Sequence, residues 1–193
     1  MNGRSTILSE CGAVACCPPG APLRSLERFA RATGFGLFAH YRDVTELRKR
    51  VVSNLFFLVH FATEDAEKTD ILHRLRHYPS PRVKLAPIIL ITQDCDADTF
   101  LRYIEMGFDD ILCLPENSEL LTDRLVSQLK HDIVYIETAD YFGPDRRRME
   151  VIGGGHTARV SNAHLHSKLV IHRSVTDGPA IVRRWDYWDT TTH

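Results

Sequence analysis

Short, uninterrupted apolar runs separated by amphipathic stretches constrain this chain more than any other feature. Asn54 to Phe61 (NLFFLVHF) and Pro87 to Thr92 (PIILIT) are continuous apolar runs of strand length. A strand carries such a run when both of its faces are buried, which is the rule in parallel sheets. Gly12 to Cys17 (GAVACC), Phe35 to His40 and Asp110 to Leu114 (DILCL) are further short runs. Helical patterns lie between them. Leu23, Leu26, Phe29 and Ala30 share one face of a segment that Gly34 should end. Asp43 is placed to cap a helix carrying Val44, Leu47 and Val51. Further helices are expected around Ile71, Leu72 and Leu75, and over Asp98 to Met106 with Phe100, Leu101 and Ile104 inward and Gly107 as the stop. A last one, capped by Asn117 or Ser118, carries Leu121, Leu125 and Leu129. Five strands alternating with five helices predict a doubly wound α/β fold, because parallel neighbours need crossover helices. The expected architecture is a five-stranded parallel sheet of flavodoxin-like order 2-1-3-4-5, followed by an irregular C-terminal tail.

Composition bounds the function classes. At 193 residues and 44% hydrophobic the chain suffices for one α/β domain with some tens of residues over. The expected division is a flexible N-terminus at 1–10, a domain at 11–130 and an extension at 131–193. A formal charge of -1 gives no global field for nucleic acid or membrane, so any anion site must be local. No apolar run approaches the roughly 20 residues of a membrane span, and the N-terminus lacks a signal-peptide core. The cysteines at 11, 16, 17, 95 and 113 are odd in number and form no CxxC pair. They predict neither a disulfide framework nor a zinc site, and fit a cytoplasmic location.

The segment Gly107-Phe108-Asp109-Asp110-Ile111-Leu112-Cys113-Leu114-Pro115 resembles the motif of response-regulator receiver domains. There a glycine ends the fourth helix, a strand follows and a Lys-Pro pair closes it. Thr92, ending PIILIT, resembles the receiver's switch threonine, and NLFFLV resembles the strand that delivers the phosphorylated aspartate. The resemblance covers roughly residues 10–130, with three motifs in the family's order. It implies the CheY-like fold, a two-component signalling role, a signalling protein as partner, and dimerisation through the fourth helix, fifth strand and fifth helix.

The departures from that pattern decide the expected function. The resemblance implies an acidic pair after the first strand, where Cys16 and Cys17 stand. Those carboxylates hold Mg²⁺, which takes hard oxygen ligands that thiols do not replace. Val59, or His60 one residue on, occupies the acceptor position, and Leu114 replaces the lysine. Thr92 alone matches. Without an oxygen nucleophile or a cation to stabilise transferred charge, phosphotransfer is not expected. The bland readings are that Cys16 and Cys17 are small core residues, that His60 is structural, and that Asp109 and Asp110 cap the helix-to-strand turn.

After Lys130 the pattern changes. Ile133 to Ile136 could add a strand. Tyr141 to Arg148 (YFGPDRRR) sets an aromatic beside Arg146, Arg147 and Arg148, whose guanidinium forks suit phosphate or carboxylate. The tail resembles those of some bacterial single-domain receivers. Gly153-Gly154-Gly155 reads as a flexible joint. His156, His164, His166 and His172 show no metal-ligand spacing. Arg183-Arg184-Trp185-Asp186-Tyr187-Trp188 is basic and aromatic, and is expected to fold back, bind a partner or swap in a dimer. The sequence thus predicts a pseudo-receiver that acts by protein contact, with no enzyme activity, cofactor or metal, no membrane, and little case for nucleic acid. The alternative is a sensor that binds a phosphorylated small molecule, such as a cyclic dinucleotide, through Tyr141 and Arg146 to Arg148.

Overall fold

The computed structural model describes residues 7–43, 52–93, 96–146 and 166–187. Five strands form one parallel sheet: β1 Cys11–Cys16, β2 Leu37–His40, β3 Asn54–His60, β4 Ile88–Gln93 and β5 Asp110–Leu114. Their order is β2-β1-β3-β4-β5, as the alternation of runs predicts. Each β1 and β3 residue is buried, which accounts for their unbroken apolar sequences. Val14, Cys16, Phe57, Val59, Leu90 and Ile111 point into one apolar layer, and Ala13, Ala15, Phe56, Leu58, Ile89 and Leu112 into the other.

Helices α1 Ala21–Thr33, α2 Asp65–Arg76, the single turn α3 Pro81–Lys84, α4 Ala97–Met106 and α5 Ser118–Lys130 connect and cover the strands. α1 buries Leu26, Phe29 and Ala30 and ends at Gly34, whose φ of 88° is left-handed. The Asn117 side chain caps α5 by accepting from the Glu119 N–H at 2.8 Å. Leu121, Leu125 and Leu129 are buried as their spacing requires. α4 departs from expectation in one respect. Tyr103 and Ile104 are its buried residues, whereas Leu101 is 37% exposed. The helix is rotated so that the large Tyr103 ring, rather than Leu101, covers Phe108 edge-on at 6.2 Å between centroids. The helix expected from Asp43 to Val51 lies outside the described residues, apart from a 3-10 turn at Tyr41–Asp43. Leu8 is fully buried, so from residue 7 the N-terminal segment belongs to the packed body.

The described part of the C-terminal extension is not irregular. β6 Ile133–Glu137, β7 Phe142–Pro144, β8 His166–Ser174 and β9 Gly178–Tyr187 make a four-stranded antiparallel sheet of order β7-β6-β8-β9. Tyr135, Phe142, Leu169 and Ile171 form a third apolar cluster together with Leu85 of the body. The β8–β9 turn passes under β3. Ser53 Oγ donates to Thr176 O at 2.6 Å and Asn54 Nδ2 to Ser174 O at 2.7 Å. Gly178 lies at φ +82° with the Ser53 carbonyl 2.8 Å from where a Cβ would sit, so any side chain would be both strained and obstructed there.

A buried ion network fastens this second sheet to the first. Asp109, immediately before β5, pairs with Arg76 of α2 and, at 2.8 Å, with Arg173 of β8. Its carboxylate also accepts from Tyr135 Oη at 2.6 Å and from the Ile88 N–H at 2.7 Å. Arg173 is fully buried and donates further to Leu85 O at 2.9 Å and Gln128 Oε1 at 3.1 Å. Arg76 donates to Ala86 O at 2.8 Å and Lys84 O at 3.1 Å. Asp109 is therefore more than a turn residue. All these groups lie at the N-terminal ends of β3, β4 and β5, so the added sheet closes that edge. The C-terminal edge is a strand length away, roughly 20 Å for six residues.

Candidate functional site

In a doubly wound sheet, ligands meet the carboxyl ends of the strands where the strand order reverses, here between β1 and β3. The last residues of the five strands are Cys16, His40, His60, Gln93 and Leu114. None is a carboxylate. Pairing sets Cys16 beside Val59, His60 beside Ile91, Thr92 beside Cys113 and Gln93 beside Leu114. The sequence-derived residues Cys16, Cys17, Val59, His60, Thr92 and Leu114 thus gather at one edge.

Their surroundings differ. Val59 is fully buried among apolar side chains, so His60, at the strand's end and 7% exposed, is the residue that reaches the edge. His60 Nδ1 accepts from the Ala62 N–H at 3.1 Å, which leaves the proton of the neutral ring on Nε2. Burial, and secondly the Lys68 ammonium, hold its pKa below the ordinary histidine value. Burial likewise drives the Cys16 thiol far up, and the Cys17 thiol up to about 11 with Glu67 adding to the effect. Both are thiols at neutral pH, unreactive and poor ligands. Thr92 is 5% exposed, and Leu114 packs against the apolar layer that holds Leu112.

A cavity of about 620 Å³ opens beyond β1 and β2, lined by Cys16, Cys17, His40, Tyr41 and Arg74 among others. Glu67 is the one carboxylate among its described lining residues, and Arg74 is paired to Asp70 at 3.0 Å. Two thiols and a single carboxylate do not suit Mg²⁺, the ion that a receiver holds at this end. Among the described residues no group of three or more His, Cys, Asp or Glu could hold a metal.

Sequence reasoning missed Lys68. It is 2% exposed and donates to Asp65 Oδ1 at 2.8 Å and Tyr103 Oη at 3.4 Å. Arg102 donates to the other Asp65 oxygen at 2.5 Å. The signal was present, because 68, 71, 72 and 75 form one helical stripe and Lys68 occupies its first position. This cation comes from α2, and its partners are already Asp65 and Tyr103.

Of the tail residues singled out from sequence, Tyr141 and Arg146 lie at the opposite edge. Tyr141 Oη donates to Pro144 O at 2.7 Å, and the Arg146 guanidinium lies 3.8 Å from the Tyr141 ring centroid. That ring also packs on Gly107, with Cε2 3.2 Å from a Cβ placed there. The aromatic face offered to a nucleobase is thus covered by Arg146 itself. Arg147, Arg148, Gly153 to Gly155, His156, His164 and Trp188 lie outside the described residues. His166 stacks on Tyr187 at 4.8 Å, and His172 bonds Asp132 at 2.8 Å.

No family model and no curated protein matches the sequence. Among solved structures, the chain is similar to a response regulator from Chloroflexus aurantiacus, with 18% identity and a TM-score of 0.47, over 62% of this chain and 98% of that one. It is also similar to the receiver domain of a signal transduction histidine kinase from Syntrophus aciditrophicus, at 19% identity and TM-score 0.43, over 62% and 89%. A third is the N-terminal receiver domain of a response regulator from Bacteroides fragilis, at 18% and 0.44, over 61% and 96%. The sheet order and its crossovers fix the topology independently. β1 to α5 have the flavodoxin-like 2-1-3-4-5 fold, the topology that CheY-like receivers share. At such identity the likeness is one of chain trace and transfers no residue roles. No helix among the described residues is long and apolar enough to cross a membrane.

Proposed function

We propose that this chain is a pseudo-receiver, a signalling module that acts by binding a protein partner and neither catalyses nor accepts phosphotransfer. One observation carries the reading: every strand of the parallel sheet ends without a carboxylate, at the edge where a receiver needs its acceptor and its metal ligands. The neutral, buried His60 and the protonated Cys16 and Cys17 supply no substitute. Lys68 is internally paired and has no acceptor to serve. Output then comes from a surface. The α4–β5–α5 face, where Leu101 and Leu120 are exposed, is the one that the fold offers to a signalling partner. The experiment is an amide NMR titration of the intact chain with Mg²⁺ and then beryllofluoride. Amides at Cys17, His60 and Thr92 should stay in place at concentrations that saturate an active receiver. Saturable shifts centred on those residues would refute the proposal.

A further inference from the structure

We infer that β9 is a self-pairing edge, through which two copies of the chain join their C-terminal sheets into one continuous antiparallel sheet. β9 is the last strand of its sheet, ten residues long, and among the described residues nothing pairs with its outer side. Ile181, Val182, Trp185 and Tyr187 on it are 41–49% exposed. A long apolar edge of that kind is a template for another strand. Pro179 blocks only its beginning, because proline lacks the N–H that a ladder uses.

The occupant follows from the charges. In an antiparallel pair of identical strands, the two-fold axis is perpendicular to the sheet and passes a residue that faces its own copy. Centring on Arg183, Arg184 or Asp186 sets like charges directly opposite each other, which is unfavourable. Centring on Trp185 does the reverse. Arg184 then faces the partner's Asp186, and Asp186 the partner's Arg184. Arg183 faces the partner's Tyr187, and the two Trp185 rings meet. Faces also agree: Arg184 and Asp186 lie on the side of Leu169 and Ser167, and Arg183, Trp185 and Tyr187 on the other. Within one chain Arg184 Nε already donates to Asp186 Oδ1 at 2.8 Å and Arg184 Nη1 to Glu137 Oε2 at 2.9 Å, so pairing joins two such ion clusters across the axis. Charges on an edge ordinarily discourage indiscriminate pairing, and the Trp185-centred register is the one that sets the opposite charges of β9 against each other. Five facing residues make a small interface, so the dimer is weak and concentration-dependent. The pairing does not depend on whether the opposite edge of the molecule is silent.

Sedimentation velocity of the full chain tests this. The 22.0 kDa monomer should pass to a species of twice that mass as concentration rises, and salt should oppose the change. Asp186→Arg sets arginines opposite each other and should raise the dissociation constant about tenfold or more. The double variant Arg184→Asp with Asp186→Arg restores opposite charges in the same register and should restore the dimer. Leu101→Asp and Leu120→Asp, on the α4–β5–α5 face, should leave it intact. Circular dichroism melting confirms that each variant is folded. A chain that stays monomeric at every concentration overturns the inference, as it would if other residues of the same chain covered β9. So does a dimer insensitive to Asp186→Arg, one not rescued by the double variant, or one abolished by Leu101→Asp.

Discussion

His60 and Asp109 are both buried ionisable groups, and they respond to pH in different windows. Burial and Lys68 lower the His60 pKa, so between its folded value and the unfolded value of about 6.5 the unfolded chain binds more protons. Stability from this group is complete above pH about 6.5 and is lost as pH falls through the folded pKa. In urea melts at a series of pH values, His60→Gln should flatten the decline from neutral to mildly acid pH. An unchanged slope would show that the ring is not held neutral. For Asp109, burial acts to raise the pKa, but the Arg76 and Arg173 guanidiniums and the Tyr135 hydroxyl outweigh it and hold the group well below the carboxylate range. Its contribution is complete above the unfolded value of about 3.9 and is lost progressively as pH falls from there through the folded value, in strong acid. Asp109→Asn would leave two guanidiniums buried without a counter-charge, at a cost of about 3–5 kcal/mol by equilibrium denaturation. A loss within about 0.5 kcal/mol would mean that the network is solvated. The sequence revealed the end-of-strand residues because they follow apolar runs. It hid the network because Arg173 stands 64 residues from Asp109, and no local pattern links them.

At the level of elements, legibility followed burial on both faces. β1, β3 and β4 announce themselves as largely apolar runs because both of their faces are buried. β8 was not legible in the same way. Its inward positions are Ser167, Leu169, Ile171 and Arg173, so the two ends of its buried face carry polar groups and the period-2 signal fades. β9 shows no buried alternation, being exposed from Ala180 to Tyr187. Tertiary partners, rather than local preference, make both of them strands. Two variants separate the sheets. Phe57→Asp puts an unpaired carboxylate into the centre of β3 and should cost several kcal/mol, enough to unfold a small domain. Parent-like melting of that variant would remove β3 from the core. Replacing Arg146, Arg147 and Arg148 together by alanine should change the melting temperature little, since Arg146 is exposed and exposed charges contribute little to stability. A large drop would make them pins of the second sheet.

Across the whole molecule, the two sheets divide the work. The strands of the parallel sheet end on residues that are not carboxylates, while the antiparallel sheet closes the N-terminal edge through Asp109, Arg76 and Arg173. An ordinary receiver is driven between states by its phosphoryl group. Moving a population from 1:99 to 99:1 takes about 5.5 kcal/mol of differential binding. On the proposed reading the edge accepts no phosphoryl group, and that energy comes from a partner or from self-association. The most direct test is intact-mass spectrometry of the full chain after incubation with acetyl phosphate and Mg²⁺, beside an active receiver as positive control. The account predicts the unmodified mass under conditions that phosphorylate the control. A stoichiometric phosphoryl adduct, lost on His60→Gln, would contradict it.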